Sequence, residues 1–229
     1  MRFIFKCIVL LSPIFSQSAD FRFDSVACQD CDGHAKSVVY SSSSWLSETA
    51  AIDPNSKNRL MIQSGFSSTT RRIWSNYWTY PNLDFAIKTT NNLAITGKIY
   101  GFSTEKQSPQ VLGAGLQYFF GGKDTLDWVT SIQRIDLKGL NHFRLTSLTF
   151  DVRKWIDWKT FQFRIGAGSN FFKEQSYSGN HSAPSTMEGQ INYIGLDTLR
   201  TFSIYKVGLG MRINPNLSFL TLFFQKELF

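Results

Sequence analysis

From about residue 59 to the C-terminus, hydrophobicity alternates with a period of two. Successive side chains of a strand point to opposite faces, so this pattern restricts the chain to strands whose two faces meet different surroundings. In Thr160 to Phe172 one face reads Phe161, Phe163, Ile165, Ala167, Ser169 and Phe171, and the other Thr160, Gln162, Arg164, Gly166, Gly168 and Asn170. Leu112, Ala114, Leu116, Tyr118 and Phe120 likewise oppose Val111, Gly113, Gly115, Gln117 and Phe119. The same holds for Tyr205, Val207, Leu209, Met211 and Ile213 against Lys206, Gly208, Gly210 and Arg212. Leu148, Phe150 and Val152 oppose Thr149, Asp151 and Arg153.

Turn residues punctuate these runs at Asn91-Asn92, Gly121-Gly122, Lys138-Gly139, Asp157 and Asn214-Pro215-Asn216. The pattern predicts ten strands at about 59–67, 74–90 (interrupted at Pro81), 92–103, 110–121, 126–138, 142–155, 159–172, 188–196, 200–213 and 217–229, with eight as the alternative count. The stretch 126–138 mixes its faces, with Trp128 and Ile132 on one and Val129, Ile135 and Leu137 on the other, so a bulge or a slipped register is expected there.

Length decides between two architectures. Soluble strands centre on about five or six residues, whereas strands crossing a bilayer need about 9–11, and most of these runs are eleven or longer. The expected fold is therefore an all-β, antiparallel transmembrane β-barrel; a soluble periplasmic β-sandwich or barrel is the alternative. Lys98, Gln117, Arg164, Lys206 and Arg212 must then line the lumen, because Arg or Lys on the lipid face at midplane costs about 2–4 kcal/mol. Trp74, Tyr77, Trp78, Tyr80, Trp128, Trp155, Trp158, Phe171 and Phe172 gather near strand ends, where aromatic girdles belong.

Composition removes other classes. The 229 residues are 15% aromatic and only 18% charged, with a mean hydropathy of −0.16; a disordered chain has the reverse balance. Outside the first twenty residues, no run approaches the roughly 18 apolar residues of a spanning helix. Three cysteines are too few for a disulfide-stapled mini-protein.

Residues 1–19 read as a secretory signal peptide. Arg2 and Lys6 flank the start of an apolar stretch from Phe3 to Phe15, and Ser16-Gln17-Ser18-Ala19 supplies small residues for cleavage after Ser18 or Ala19. Removing Arg2 and Lys6 leaves 22 basic against 17 acidic residues, net +5. This excess is spread out, and a nucleic-acid partner is not expected.

The last strand carries a family resemblance. Residues 216–229 end in Phe229, with Phe223 and Phe219 on alternate positions. This resembles the closing strand of bacterial outer-membrane β-barrel proteins, whose aromatic C-terminus is read by the barrel-assembly machinery. The resemblance implies an outer-membrane location, lipid as surroundings and that machinery as a partner in biogenesis. Glu227, Gln225 and Thr221 depart from it, standing where the family signature prefers apolar residues. Ala50-Ala51-Ile52-Asp53-Pro54-Asn55, just before Leu60-Met61-Ile62, is similar in place to the Asn-Pro-Ala-Gly-Leu motif of outer-membrane long-chain fatty-acid transporters and PorV. Only the proline matches, and those barrels are larger.

Residues 20–58 differ in kind from the alternating region and form an N-terminal extension: a plug or latch in the barrel mouth, a periplasmic tail or an extra strand. It holds an ambiguous short strand at Ser37–Tyr40 and a helical stretch around Trp45–Ala51. Cys28 and Cys31 are spaced for a small disulfide; with His34 they could instead hold a metal, or act as a redox pair. No catalytic residues, metal site or cofactor are assigned. His181-Ser182 lies in a Ser-, Gly-, Asn- and Pro-rich loop, and His34 and His142 pair with no recognisable Ser or acid. Gly121-Gly122-Lys123 lacks phosphate-loop spacing. The functional expectation is a narrow transport or binding barrel for small anionic or amphiphilic solutes. A structural or partner-binding outer-membrane protein without a pore is the alternative.

Overall fold

The computed structural model describes residues 19–23, 31–50, 52–73, 76–104, 107–122, 125–177 and 186–228. The signal peptide, Cys28, Trp74, Lys123, His181-Ser182 and Phe229 lie outside the described residues, as do the side chains of Cys31 and Asp32.

Among the described residues one helix, α1 (Cys31–Leu46), precedes ten strands: β1 (Leu60–Thr69), β2 (Thr79–Lys88), β3 (Leu93–Gly101), β4 (Gln110–Phe120), β5 (Trp128–Lys138), β6 (Phe143–Trp158), β7 (Phe161–Ser176), β8 (Thr186–Phe202), β9 (Tyr205–Ile213) and β10 (Phe219–Leu228). Every neighbour pair is antiparallel. Strands β1 and β10 pair from Leu60↔Leu228 to Thr69↔Phe219 and close the barrel, which leaves no open edge. The count is ten, not eight.

The connections differ at the two ends. At one end, hereafter the turn end, β6–β7 and β8–β9 are joined by two-residue turns, with Lys159 and Ser203 at positive φ of 56° and 58°. The other, loop end carries the connections 70–78, 102–109, 139–142, 177–185 and 214–218.

Alternation sorts the side chains as period two requires. On β7, Ile165 and Phe171 point outward while Arg164, Asn170 and Glu174 are buried. Ile95, Leu112, Leu116, Ile132, Phe150, Ile194, Leu209 and Leu220 continue the outward apolar belt around the wall. From Phe161 to Phe171 the belt spans roughly 25 Å, given a rise of about 3.3 Å per residue and a tilt of about 40°. At the turn end it is rimmed by stacked rings, Tyr118 on Phe120 and Phe120 on Trp128, and by Lys154, Arg200 and Lys226 lying against Trp128, Phe161 and Tyr205. Towards the loop end, β5–β8 run past the belt and their outward face turns polar. There Lys173 pairs with Glu188, and the Thr146 hydroxyl donates to Asp136 at 2.6 Å.

Trp78, Tyr80, Trp155 and Phe172, expected in the girdles, are buried inside the barrel, and the helix ends at Leu46, so residues 47–50 are not helical. Three further expectations are corrected. Strand β5 alternates regularly, with no bulge. Val129, Ile135 and Leu137 face inward because the lumen is apolar where it receives the N-terminal segment. Ser37–Tyr40 is helical, part of α1. The β-branched pair Val38-Val39 mimics a strand, but the barrel wall surrounds the helix, and Ser37 and Ser41 return their hydroxyls to the carbonyls of Gly33 and Val38.

The third concerns the closing strand. Phe219 and Phe223 point into the lumen, not towards lipid. Phe219 meets Tyr80 at 5.8 Å, and Phe223 fills a space that exists because residue 208 is glycine: a Cβ there would lie 2.2 Å from the Phe223 ring. The outward face of β10 is Leu220, Leu222 and Phe224, one residue out of step with the expected signature. That shift explains why Thr221, Gln225 and Glu227 are polar: they share the lumen face.

Candidate functional site

The lumen is occupied from end to end by the chain's own N-terminal segment. At the loop end the Ala19 amide donates to Thr79 O at 3.2 Å, Phe23 stacks on Phe143 at 4.8 Å, and Phe21 packs against Trp45, Tyr80 and Phe102. Helix α1 then descends into the barrel. Its Tyr40 ring meets Phe172, and the Ser41 and Tyr80 hydroxyls share a hydrogen bond of 2.5 Å. Trp45 stacks on Tyr80 at 4.7 Å and donates its indole N–H to Asn82 Oδ1 at 2.8 Å. Small serines along α1 let the helix fit a lumen only ten strands around; Asn170 Nδ2 donates to Ser43 O at 2.8 Å.

Below Leu46 most anchors are polar, beside an apolar cluster that buries Ala50 and Ile52 against Met61, Phe119, Val129 and Trp155. Glu48 Oε2 accepts from Ser67 at 2.7 Å, Asn82 at 3.0 Å and Thr221 at 3.2 Å, hydrogen bonds from β1, β2 and β10 that offset much of the cost of burying a carboxylate. Gln133 donates to the carbonyls of Leu46 and Glu48, and Gln117 and Arg164 both donate to Ala50 O, at 2.9 and 3.0 Å. At the turn-end mouth Asp53 takes Gln162 at 2.8 Å and Lys206 at 3.3 Å, while Lys88 Nζ donates to the carbonyls of Pro54 and Ser56. Burial pushes the Asp53 carboxyl up, but the Lys206 charge and the hydrogen bonds from Gln162 and the Asn55 amide prevail and hold it below the usual carboxylate range. Ala50 and residues 52–55 form this lower part of the segment.

All five expected lumen residues face inward: Lys98, Gln117, Arg164 and Arg212 are buried and Lys206 is partly so. They are not free to act on a solute. Lys98 pairs with Asp84 at 2.5 Å, Arg164 with Asp197 at 2.7 Å, and Lys206 with Asp53 and with Glu227 at 2.9 Å. Arg212 lies 5.3 Å over the Tyr193 ring. Between these sits a residue that was not singled out: Arg153, fully buried, forks onto Asp151 at 2.8 Å and reaches Asp197, while Tyr193 OH donates to Asp151 at 3.0 Å. The balancing carboxylates Glu48, Asp84, Asp151 and Asp197 were also missed. Asp84 and Asp151 stand on the inward parity of expected strands, which was the signal for them, whereas Asp197 falls between the expected strands 188–196 and 200–213, which the structure joins into one strand, β8.

A cavity lies at each mouth. The loop-end cavity, about 430 Å³, lies between α1 and the connections 70–78 and 214–218, lined by Lys36, Ser37, Tyr40, Arg71, Arg72, Ile73, Asn216 and Leu217. The turn-end cavity, about 460 Å³, includes Lys57, Arg59 and Lys88 in its lining. Neither lining contains a described carboxylate.

No known protein family and no curated protein matches the chain. Among solved structures, the barrel is similar to a bacterial polysaccharide outer membrane secretin, with 6% identity, 76% of this chain and 77% of that one covered, and a TM-score of 0.42. It is similar to Ail, the attachment invasion locus protein of Yersinia pestis, with 10% identity, 75% and 98% coverage and a TM-score of 0.27. For the translocator domain of the autotransporter NalP from Neisseria meningitidis the values are 8%, 82%, 93% and 0.36. At these scores the architecture rests on the barrel's own strand pairing and on the sorting of its two faces.

Proposed function

We propose that this chain is a bacterial outer-membrane barrel, exported by its signal peptide, that its N-terminal segment keeps closed and that takes small anionic solutes at its mouths. The observation that carries this reading is the passage of residues 20–23, 31–50 and 52–56 through the lumen on named hydrogen bonds. An apolar belt outside with the charged side chains buried inside is the sorting a bilayer selects, and the contrast between the two-residue turns at one end and the longer connections at the other supports a loop end that faces outside the cell. Of the lumen cations that were expected to select anions, Lys98, Arg164 and Lys206 are paired with carboxylates and Arg212 lies against the Tyr193 ring, which supports charge selection at the mouths, where cations outnumber described carboxylates. Passage then requires the segment to move. An amphiphilic anion also fits the likeness of residues 50–55 to the fatty-acid transporters.

The packed lumen favours a second reading, a structural or partner-binding barrel that never opens. Planar-bilayer conductance separates the two, after a heat-dependent shift on a denaturing gel has established the folded barrel in detergent. Wild type is expected to be silent. Glu48→Ala with Asp53→Asn, which loosens the lower anchors, is expected to give anion-preferring steps. Silence from a variant that still shows the gel shift assigns the structural role.

A further inference from the structure

We propose that the loop-end cavity binds a phosphate monoester, and that its occupancy fastens the N-terminal helix to the barrel; the second half rests on the closed-barrel reading above. Arg71 and Arg72 line one cavity of about 430 Å³ together with Lys36, which has a partner of its own, and no described carboxylate stands in the lining, so the two arginines carry the charge of the site. Gathering like charges around a concave space raises the local potential and favours a counter-anion. The two arginines are held by different neighbours: Arg71 Nη1 donates to Pro215 O at 3.3 Å, and the Arg72 guanidinium lies 5.6 Å from the Tyr77 ring centre. Each guanidinium keeps further N–H donors beyond the bond given to Pro215, and the fork geometry of arginine matches phosphate oxygens in pairs. The floor is of another kind. Ile73 and Leu217 are buried there, and the Tyr40 ring stands on the α1 wall. Cations above and an apolar floor below fit a phosphate carried on a sugar or similar compact body better than a bare inorganic ion.

The walls give the site its consequence. Lys36, Ser37 and Tyr40 belong to α1, whereas Arg71, Arg72 and Ile73 belong to the β1–β2 connection and Asn216 and Leu217 to the β9–β10 connection. A ligand held by the arginines against Ser37 and Tyr40 ties the plug helix to the two connections that flank β1 and β10. It binds only where both walls are present, so by linkage it stabilises the closed arrangement. The phosphate could arrive on a soluble sugar or on a phosphorylated lipid of the outer leaflet, and the chemistry is the same.

The test uses the full mature chain folded in a non-ionic maltoside, free of phosphate and sulfate. Glucose 1-phosphate is titrated by calorimetry against methyl glucoside as the neutral control. In parallel, hydrogen exchange of α1 is followed with and without the sugar phosphate, and in nanodiscs with and without monophosphoryl lipid A. Expected are saturable binding of glucose 1-phosphate but not methyl glucoside, slowed exchange across α1, and at least a tenfold loss of affinity in Arg71→Gln/Arg72→Gln. Both arginines are exposed in connections outside the wall, and the gel shift checks that the variant still folds. Protection of α1 by monophosphoryl lipid A alone, lost in the same variant, supports the site and assigns the lipid source. No binding from either source, or equal binding by the variant, overturns the site. Binding without protection of α1 overturns the fastening. A chain that shows no gel shift before any ligand is added fails the membrane-barrel reading instead, and a loosened variant that conducts while no phosphate binds leaves that reading standing.

Discussion

The N-terminal segment is held by two kinds of force, and the boundary lies near Leu46. Above it, Phe21, Phe23, Tyr40 and Trp45 interlock with Tyr80, Phe102, Phe143 and Phe172. Below it, Glu48, Ala50 and Asp53 meet the barrel mainly through hydrogen bonds and ion pairs, beside a smaller apolar cluster in which Ala50 and Ile52 are buried with Met61, Phe119, Val129 and Trp155. Apolar packing has no substitute partner once broken, whereas each polar anchor can exchange its partner for water. The upper half therefore fixes the plug to the barrel, and the lower half is where opening begins.

The largest expected effect comes from breaking the upper half. Trp45 is 2% exposed, stacks on Tyr80 and gives its N–H to Asn82. Trp45→Ala removes the ring and leaves Asn82 and the Pro81 carbonyl short of a donor. The expected loss is about 3–5 kcal/mol of stability, read from urea or thermal unfolding of the detergent-folded barrel. If the variant unfolds as wild type does, the upper half is not the anchor.

The charge cluster of the lower half comes next. Asp197 faces both Arg153 and Arg164, so Asp197→Asn leaves two buried guanidiniums with Asp151 as the nearest remaining carboxylate. Removing one partner of a buried pair costs on the order of 3 kcal/mol. Arg164 also donates to Ala50 O, so the same change should loosen the lower segment and raise hydrogen exchange near residues 47–56 while α1 stays protected. Equal exchange gains above and below Leu46 would erase the distinction between the halves.

The barrel was legible in the sequence because period two survives wherever one face meets lipid, and lipid tolerates only apolar residues there. What the lumen face contacts is not coded by period. Val129, Ile135 and Leu137 read as a flaw in β5 because their partners, α1 and its neighbours, lie about a hundred residues earlier in the chain. Val38-Val39 and the serines next to them prefer extended or turn structure locally, and only enclosure by the wall makes them helical. The closing strand misled for a related reason. Phe219 and Phe223 are aromatic like lipid-facing residues, yet they fill a lumen whose opposing positions include Gly208. Lys98, Arg164 and Lys206 were placed on the right face by parity alone, but their ion partners sit on other strands or in the extension, and pairing across strands needs the register.

The smallest expected effect lies at the turn-end mouth. Asp53 is held below the usual carboxylate range in the folded chain, so it binds a proton less readily folded than unfolded. The stability it contributes is fully present above its unfolded value of about 3.9 and is lost as pH falls through the lower folded value. Acidification should therefore release the bonds to Lys206 and Gln162 and free residues 52–56. Asp53→Asn should cost under about 1 kcal/mol, since an amide still accepts from Gln162 and the mouth is close to water. It should also flatten the acid limb of the exchange profile measured at residues 52–56 while leaving α1 untouched. An acid limb that persists in the variant would place the sensitive carboxylate elsewhere, with Glu227, which shares Lys206, the next to substitute.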